Sequence, residues 1–67
     1  MAVASVSRIT AASPDGFDAA VREGIRRASK TLRGITGAHV LEQKVKIADG
    51  EIEEFRVTME VTFILED

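Results

Sequence analysis

From Phe55 to Leu65 apolar and polar residues take turns. Phe55, Val57, Met59, Val61, Phe63 and Leu65 are apolar, and Arg56, Thr58, Glu60 and Thr62 stand between them, with Ile64 the one exception. Period 2 held this long predicts a β-strand with one buried and one polar face. The polar positions Glu54, Arg56, Thr58, Glu60 and Thr62 are where chemistry on this strand has to sit.

Earlier in the chain the period changes. Phe17, Ala20, Val21, Gly24, Ile25, Ala28 and Leu32 recur at spacings of three and four, a single apolar stripe. That predicts a helix running to Leu32 or Arg33. Ser13 is placed to cap its free N–H groups, and Pro14 suits the first helical position. Asp15 and Asp18 put negative charge at the positive end of the helix dipole. Glu23 and Arg27 form an i,i+4 pair of the favoured polarity. Gly34 is the expected stop, with Lys30 and Arg33 in the last turn. Gly24 weakens a helix by up to about 1 kcal/mol relative to Ala, so its place on the buried stripe predicts close packing there.

Two further strands complete the order. Val3 to Ala11 reads as a first strand with poor alternation. Ala38 to Ile47 reads as a second, with Leu41, Gln43, Val45 and Ile47 on one face and Val40, Glu42, Lys44 and Lys46 on the other. Asp49-Gly50 turns the chain back. A plain two-residue turn there pairs Ala48 with Glu51, and so odd with even positions, which sets Leu41 and Val45 on the polar face of the last strand. The pattern therefore predicts a three- or five-residue loop, or a Gly bulge, in place of that turn.

The reading is α+β, with the order β-α-β-β in one domain over residues 1–67. One helix covers one sheet face and leaves the other in need of a partner layer. With 67 residues the chain buries only about 60% of its unfolded surface. It has no cysteine and one histidine, so disulfides and thiolate metal sites are excluded. Self-association is the remaining source of stability. A net charge of −2 argues against a nucleic-acid module, which shows a clustered basic face. No apolar run approaches a membrane span, and Met1 to Ser5 lacks the pattern of a secretory leader. A cytoplasmic protein is expected, without nucleic-acid or membrane partners.

Taken together, these segments resemble the dodecin family over nearly the whole chain. Ser13-Pro14-Asp15-Gly16-Phe17-Asp18-Ala19-Ala20 is similar to that family's helix start, and Ala28-Ser29-Lys30-Thr31-Leu32-Arg33 to its helix end. The stretch from Phe55 to Glu66 is similar to its last strand. The resemblance implies a subunit whose three-stranded antiparallel sheet wraps around the helix. It implies twelve such subunits in a hollow shell that binds riboflavin, FMN or a related flavin. Such proteins store flavin and are not enzymes.

Three ligand positions carry over, with departures. The family's flavin-stacking tryptophan falls at Gly37. Its flavin-contacting glutamine falls at Arg56. A basic residue that meets phosphate in bacterial members is kept as Lys44, while a second arginine falls at Ile64. Stacking needs an aromatic face, worth about 1–3 kcal/mol by analogy with base stacking, and the chain has no Trp or Tyr. Within the family the likeness is nearer to the Trp-less, calcium-binding variants, whose second strand resembles Ala38-His39-Val40-Leu41-Glu42-Gln43 and which carry Arg at the position of Arg56.

Plainer readings stand beside these. Arg56 can pair with Glu54, Glu42 or Glu60, Lys44 can be a solvated strand residue, and His39 a surface one. Glu42, Glu54 and Glu60 offer oxygens to calcium, which takes six to eight, but at no spacing that closes a site in one chain. An enzyme needs a titratable pair in a pocket, and the lone His without Cys does not supply one. A purely structural assembly and a module binding another protein through the polar sheet face are the further alternatives.

Overall fold

The computed structural model describes residues 3–65. Strand β1 (Val3–Ser13) leads into helix α1 (Phe17–Ala28), then strands β2 (Ile35–Ala48) and β3 (Glu51–Leu65). The three strands form one antiparallel sheet in the order β1-β3-β2. The longest period-2 segment thus becomes the central strand, and α1 packs on β1 and β3.

The helix is shorter than the sequence predicts at both ends. Ser13 belongs to β1, where it pairs with Phe55. Its hydroxyl accepts the Asp15 N–H at 3.0 Å, which stabilises the turn and not the helix. Gly16 takes the N-cap position, and its carbonyl accepts the Ala20 N–H at 3.1 Å. At the other end the Ser29 hydroxyl donates to the Ile25 carbonyl at 2.8 Å. The chain then tightens through Lys30 N–H to Arg27 O and Thr31 N–H to Ala28 O, both 3.1 Å. Such i→i+3 bonds satisfy carbonyls left over at a helix end. Leu32 still packs against the core from outside the helix. Gly34 is not the helix stop; its carbonyl accepts the Ile64 N–H at 2.9 Å and ties the loop to β3. Glu23 pairs with Arg26 at i,i+3, and not with Arg27.

The hairpin also corrects the sequence reading. The two-residue turn does form: Ala48 pairs with Glu51, and Asp49 and Gly50 have φ of 52° and 79°. Positive φ at both central positions is the type I′ signature. The parity change that the apolar pattern requires comes one step later. Ile47 pairs with Ile52, but Lys46 pairs with Glu54, which leaves Glu53 as an extra residue. Beyond that bulge Val45 faces Phe55 and Gln43 faces Val57. A second bulge makes Leu41 the extra residue, so Val40, and not Leu41, stands opposite Met59.

Ala20, Val57, Met59 and Val61 are fully buried, with Ile9, Ala11, Phe17, Val21, Ile25, Leu32 and Ile35 packed around them. Phe17 meets Phe55 edge to face, centroids 5.1 Å apart, a geometry worth about 0.5–1.5 kcal/mol beyond area. Gly24 is buried where the helix crosses closest to the sheet. A β-carbon there would lie 2.5 Å from Met59 Cε and 3.0 Å from Ala11 Cβ, so the predicted close packing is present.

This core serves half the sheet. The chain measures 51 × 19 × 13 Å with a radius of gyration of 13.8 Å, against about 11 Å for a compact domain of this length. The β2–β3 hairpin accounts for the excess. Its apolar residues Val45, Ile47 and Ile52 are 39%, 54% and 52% exposed. No helix among the described residues is long and apolar enough to cross a membrane.

Candidate ligand-binding face

The sheet face turned away from α1 carries the even-numbered residues of β1 and, from Glu54 onward, of β3. Because the β1–β3 ladder is unbroken, their rows follow directly: Val6 with Thr62, Arg8 with Glu60, Thr10 with Thr58, Ala12 with Arg56. Register with β2 extends the rows to Gly37, His39, Glu42 and Lys44 in turn. Lys44 therefore lies directly opposite Arg56. Gly37 lies opposite Thr62, on the same face but six residues further along β3, about 20 Å away at the usual strand rise.

Like charges facing each other across a ladder are destabilising. Here each finds a carboxylate along its own strand instead. Arg56 Nε donates to Glu54 Oε2 at 2.5 Å, and Lys44 Nζ lies 3.4 Å from Glu42 Oε1. Lys46 and Glu53 form the same kind of pair beside the bulge at 3.3 Å. The next rows are held across the sheet: the Thr10 and Thr58 hydroxyls share a hydrogen bond of 3.1 Å, and Arg8 donates to Glu60 at 3.2 Å. All these groups are solvent-accessible, and exposed pairs contribute about 0–1 kcal/mol. The carboxylates beside Lys44 and Arg56 are therefore loosely held counterions, which an anion bound between the two cations can displace.

The opposite end is open. A β-carbon at Gly37 meets nothing within 4 Å, so a larger side chain is sterically free there. Its row on this face is completed by Thr62 and Val6, neither of them aromatic. His39 lies one row nearer the cations, opposite Glu60. The three acidic residues considered for calcium are spread along the face and engaged: Glu42 with Lys44, Glu54 with Arg56, Glu60 with Arg8. Among the described residues no three His, Cys, Asp or Glu side chains come together to hold a metal ion.

Sequence reasoning missed two things. Arg8 and Thr10 belong to this face, but the poor alternation of β1 hides them, and only the pairing with β3 gives them their partners. The exposed side of α1 and the turn after it carries Arg22, Arg26, Arg27, Lys30 and Arg33. Glu23 is the one acid among them. Arg26 bonds to Glu23, and this hydrogen bond holds the Glu23 carboxyl below its ordinary value and raises Arg26.

Two grooves flank the helix. One of about 550 Å³ runs between β1 and α1, past Ile9, Ala11, Gly24 and Arg27. The other, about 440 Å³, lies between Thr31–Arg33 and Phe63–Leu65. Neither is lined by Gly37, Lys44 or Arg56.

The dodecin family model matches residues 3–66. The chain belongs to the dodecin family. A dodecin from Thermus thermophilus is 36% identical over 55 residues, covering 82% of this chain and 80% of its own length. The solved dodecin from Streptomyces davaonensis superposes with a TM-score of 0.95 at 39% identity, covering 98% of this chain and 97% of that one. The calcium dodecin from Mycobacterium tuberculosis, solved with a calcium-binding site, gives 0.83 at 31% identity over 96% and 91% of the two chains. The strand-helix-strand-strand order with its three-stranded antiparallel sheet is the dodecin fold.

Proposed function

We propose that the protein is a self-assembling, non-enzymatic binding protein that holds a small phosphate-bearing ligand, FMN foremost, in a hollow shell of twelve subunits. One observation carries this reading: Gly37 and the Lys44–Arg56 pair share a sheet face but lie about 20 Å apart at strand rise. One subunit therefore offers the parts of a site and not a site. Neighbouring subunits in a closed shell can bring the open floor at Gly37 of one against the cations of another. The exposed Val45, Ile47 and Ile52 supply apolar surface for such contacts. Lys44 and Arg56 then meet phosphate, and Gly37 leaves room for a ring without stacking on it.

The test is native mass spectrometry combined with fluorescence titration of FMN and riboflavin. A dodecamer that quenches FMN more tightly than riboflavin, with the difference lost in Lys44→Gln, supports the reading. A monomer, or a dodecamer that quenches neither at tens of micromolar protein, ends it.

A second reading is a calcium-binding or purely structural shell. The likeness to the Mycobacterium tuberculosis calcium dodecin favours it. Glu42, Glu54 and Glu60 would then have to leave their ion pairs and meet across subunits. A melting temperature that does not move between calcium and chelator counts against calcium.

A further inference from the structure

Charge is segregated along this chain. Five of its nine basic residues fall between positions 22 and 33, a stretch with one acid, Glu23. The hairpin tip from 49 to 54 holds Asp49, Glu51, Glu53 and Glu54 and no base. The basic stretch runs from mid-helix to the turn Thr31–Arg33, which lies beside Phe63 to Leu65, while the tip lies beyond Glu54, about 30 Å from that turn at strand rise. They cannot neutralise one another within a subunit. Among the described residues Lys30 and Arg33 have no carboxylate partner, and neither do Asp49 and Glu51.

Shape follows the same division. At the basic end a groove of about 440 Å³ opens between the turn after α1 and the end of β3, walled by Leu32, Phe63 and Leu65 with Arg33 at its rim. At the acidic end Ile47 and Ile52 pair on the inner face of the hairpin, each more than half exposed, next to Asp49 and Glu51. An apolar groove rimmed by cations matches an apolar tip rimmed by acids.

We infer that the hairpin tip of one subunit docks head to tail into the groove at the helix end of a second copy, with Ile47 and Ile52 against Leu32, Phe63 and Leu65 and the acids on Lys30 and Arg33. The inference rests on the self-assembly proposed above. The two surfaces differ, so the contact is heterologous and forms a ring or closed shell when its rotation closes. Opposite charge at its rim steers encounter and fixes register more than it adds affinity.

Two charge-reversed variants test it: Arg33→Glu at the groove and Glu51→Lys at the tip. Each raises the subunit dissociation constant about tenfold or more at low salt, and the chain carrying both changes regains wild-type assembly. Salt titration of the wild type gives a second readout, with assembly weakening as salt rises. Reversals that leave the oligomer and its salt dependence unchanged overturn the inference while the shell reading stands. So does a heparin or nucleic-acid fragment that binds the intact assembly through Lys30 and Arg33, because the groove is then open. A monomeric wild type overturns both readings together.

Discussion

Gly24 lies directly beneath Met59, so close that a β-carbon on the glycine would come within 2.5 Å of the Met59 methyl. The Met59 methyl is the end of a flexible side chain, but it is fully buried and must displace its neighbours to move, and Ala11 Cβ at 3.0 Å closes the second direction. Two effects compete in Gly24→Ala. Helix propensity favours alanine by about 1 kcal/mol, and overpacking opposes it by about 1–3 kcal/mol. The clash wins, and the variant melts at a lower temperature than the wild type. Met59→Val makes room, so the double variant loses less than the sum of the two single losses. Thermal unfolding of all four proteins checks the coupling; additive losses would show that the close approach does not matter.

Restoring a ring at Gly37 is a gain-of-function experiment. The position is sterically open, so Gly37→Trp is expected to fold normally. An added stacking surface worth about 1–3 kcal/mol tightens flavin binding by about 5- to 150-fold. Flavin fluorescence with the two proteins side by side decides it. Equal affinities would mean that position 37 does not meet the ligand.

Removing either cation from the facing pair separates charge from contact. Lys44→Gln and Arg56→Leu each weaken binding of FMN and leave riboflavin unchanged, because only the phosphate is lost as a partner. Each also removes a like-charge opposition worth about 0.2–1 kcal/mol, so stability stays level or rises slightly at low salt. A parallel loss of FMN and riboflavin would contradict a phosphate role.

The hairpin turn gives a local test. Gly50 adopts φ of 79°, and a side chain there costs about 1–2 kcal/mol. Gly50→Ala is expected to lower the melting temperature, whereas Asp49→Asn, at a φ that asparagine tolerates, leaves it nearly unchanged. Equal effects would argue against the positive-φ turn.

Acid acts on the helix through Glu23. Its folded-state carboxyl titrates below the ordinary value because Arg26 hydrogen-bonds the charged form. The contribution is therefore complete above the ordinary carboxylate value and is lost as pH falls through the lowered one. Carbon-detected NMR titration should show the Glu23 midpoint moving up in Arg26→Gln; an unmoved midpoint would assign the shift elsewhere.

Much of this architecture is visible in the residue pattern. The alternation from Phe55 to Leu65 marks the central strand, and the stripe from Phe17 to Leu32 gives the helix and its buried glycine. Non-local pairing decides the rest. Ser13 is a good cap by type, but its partner is Phe55, far along the chain, and the ladder claims it for β1. Val40 reads as polar-facing until the Leu41 bulge turns it inward. Arg8 finds Glu60 only through strand order. The site is less visible because its parts lie on different strands, and the bulges that bring Lys44 opposite Arg56 carry no single-residue signature.

The hairpin beyond the helix has one further consequence. Val45, Ile47 and Ile52 stand on a stretch of sheet that no described helix covers, so in the proposed assembly that half of the structure draws its burial from a neighbour. Its folding is then a bimolecular event. Dilution then acts on it as a denaturant, and its melting temperature climbs with protein concentration.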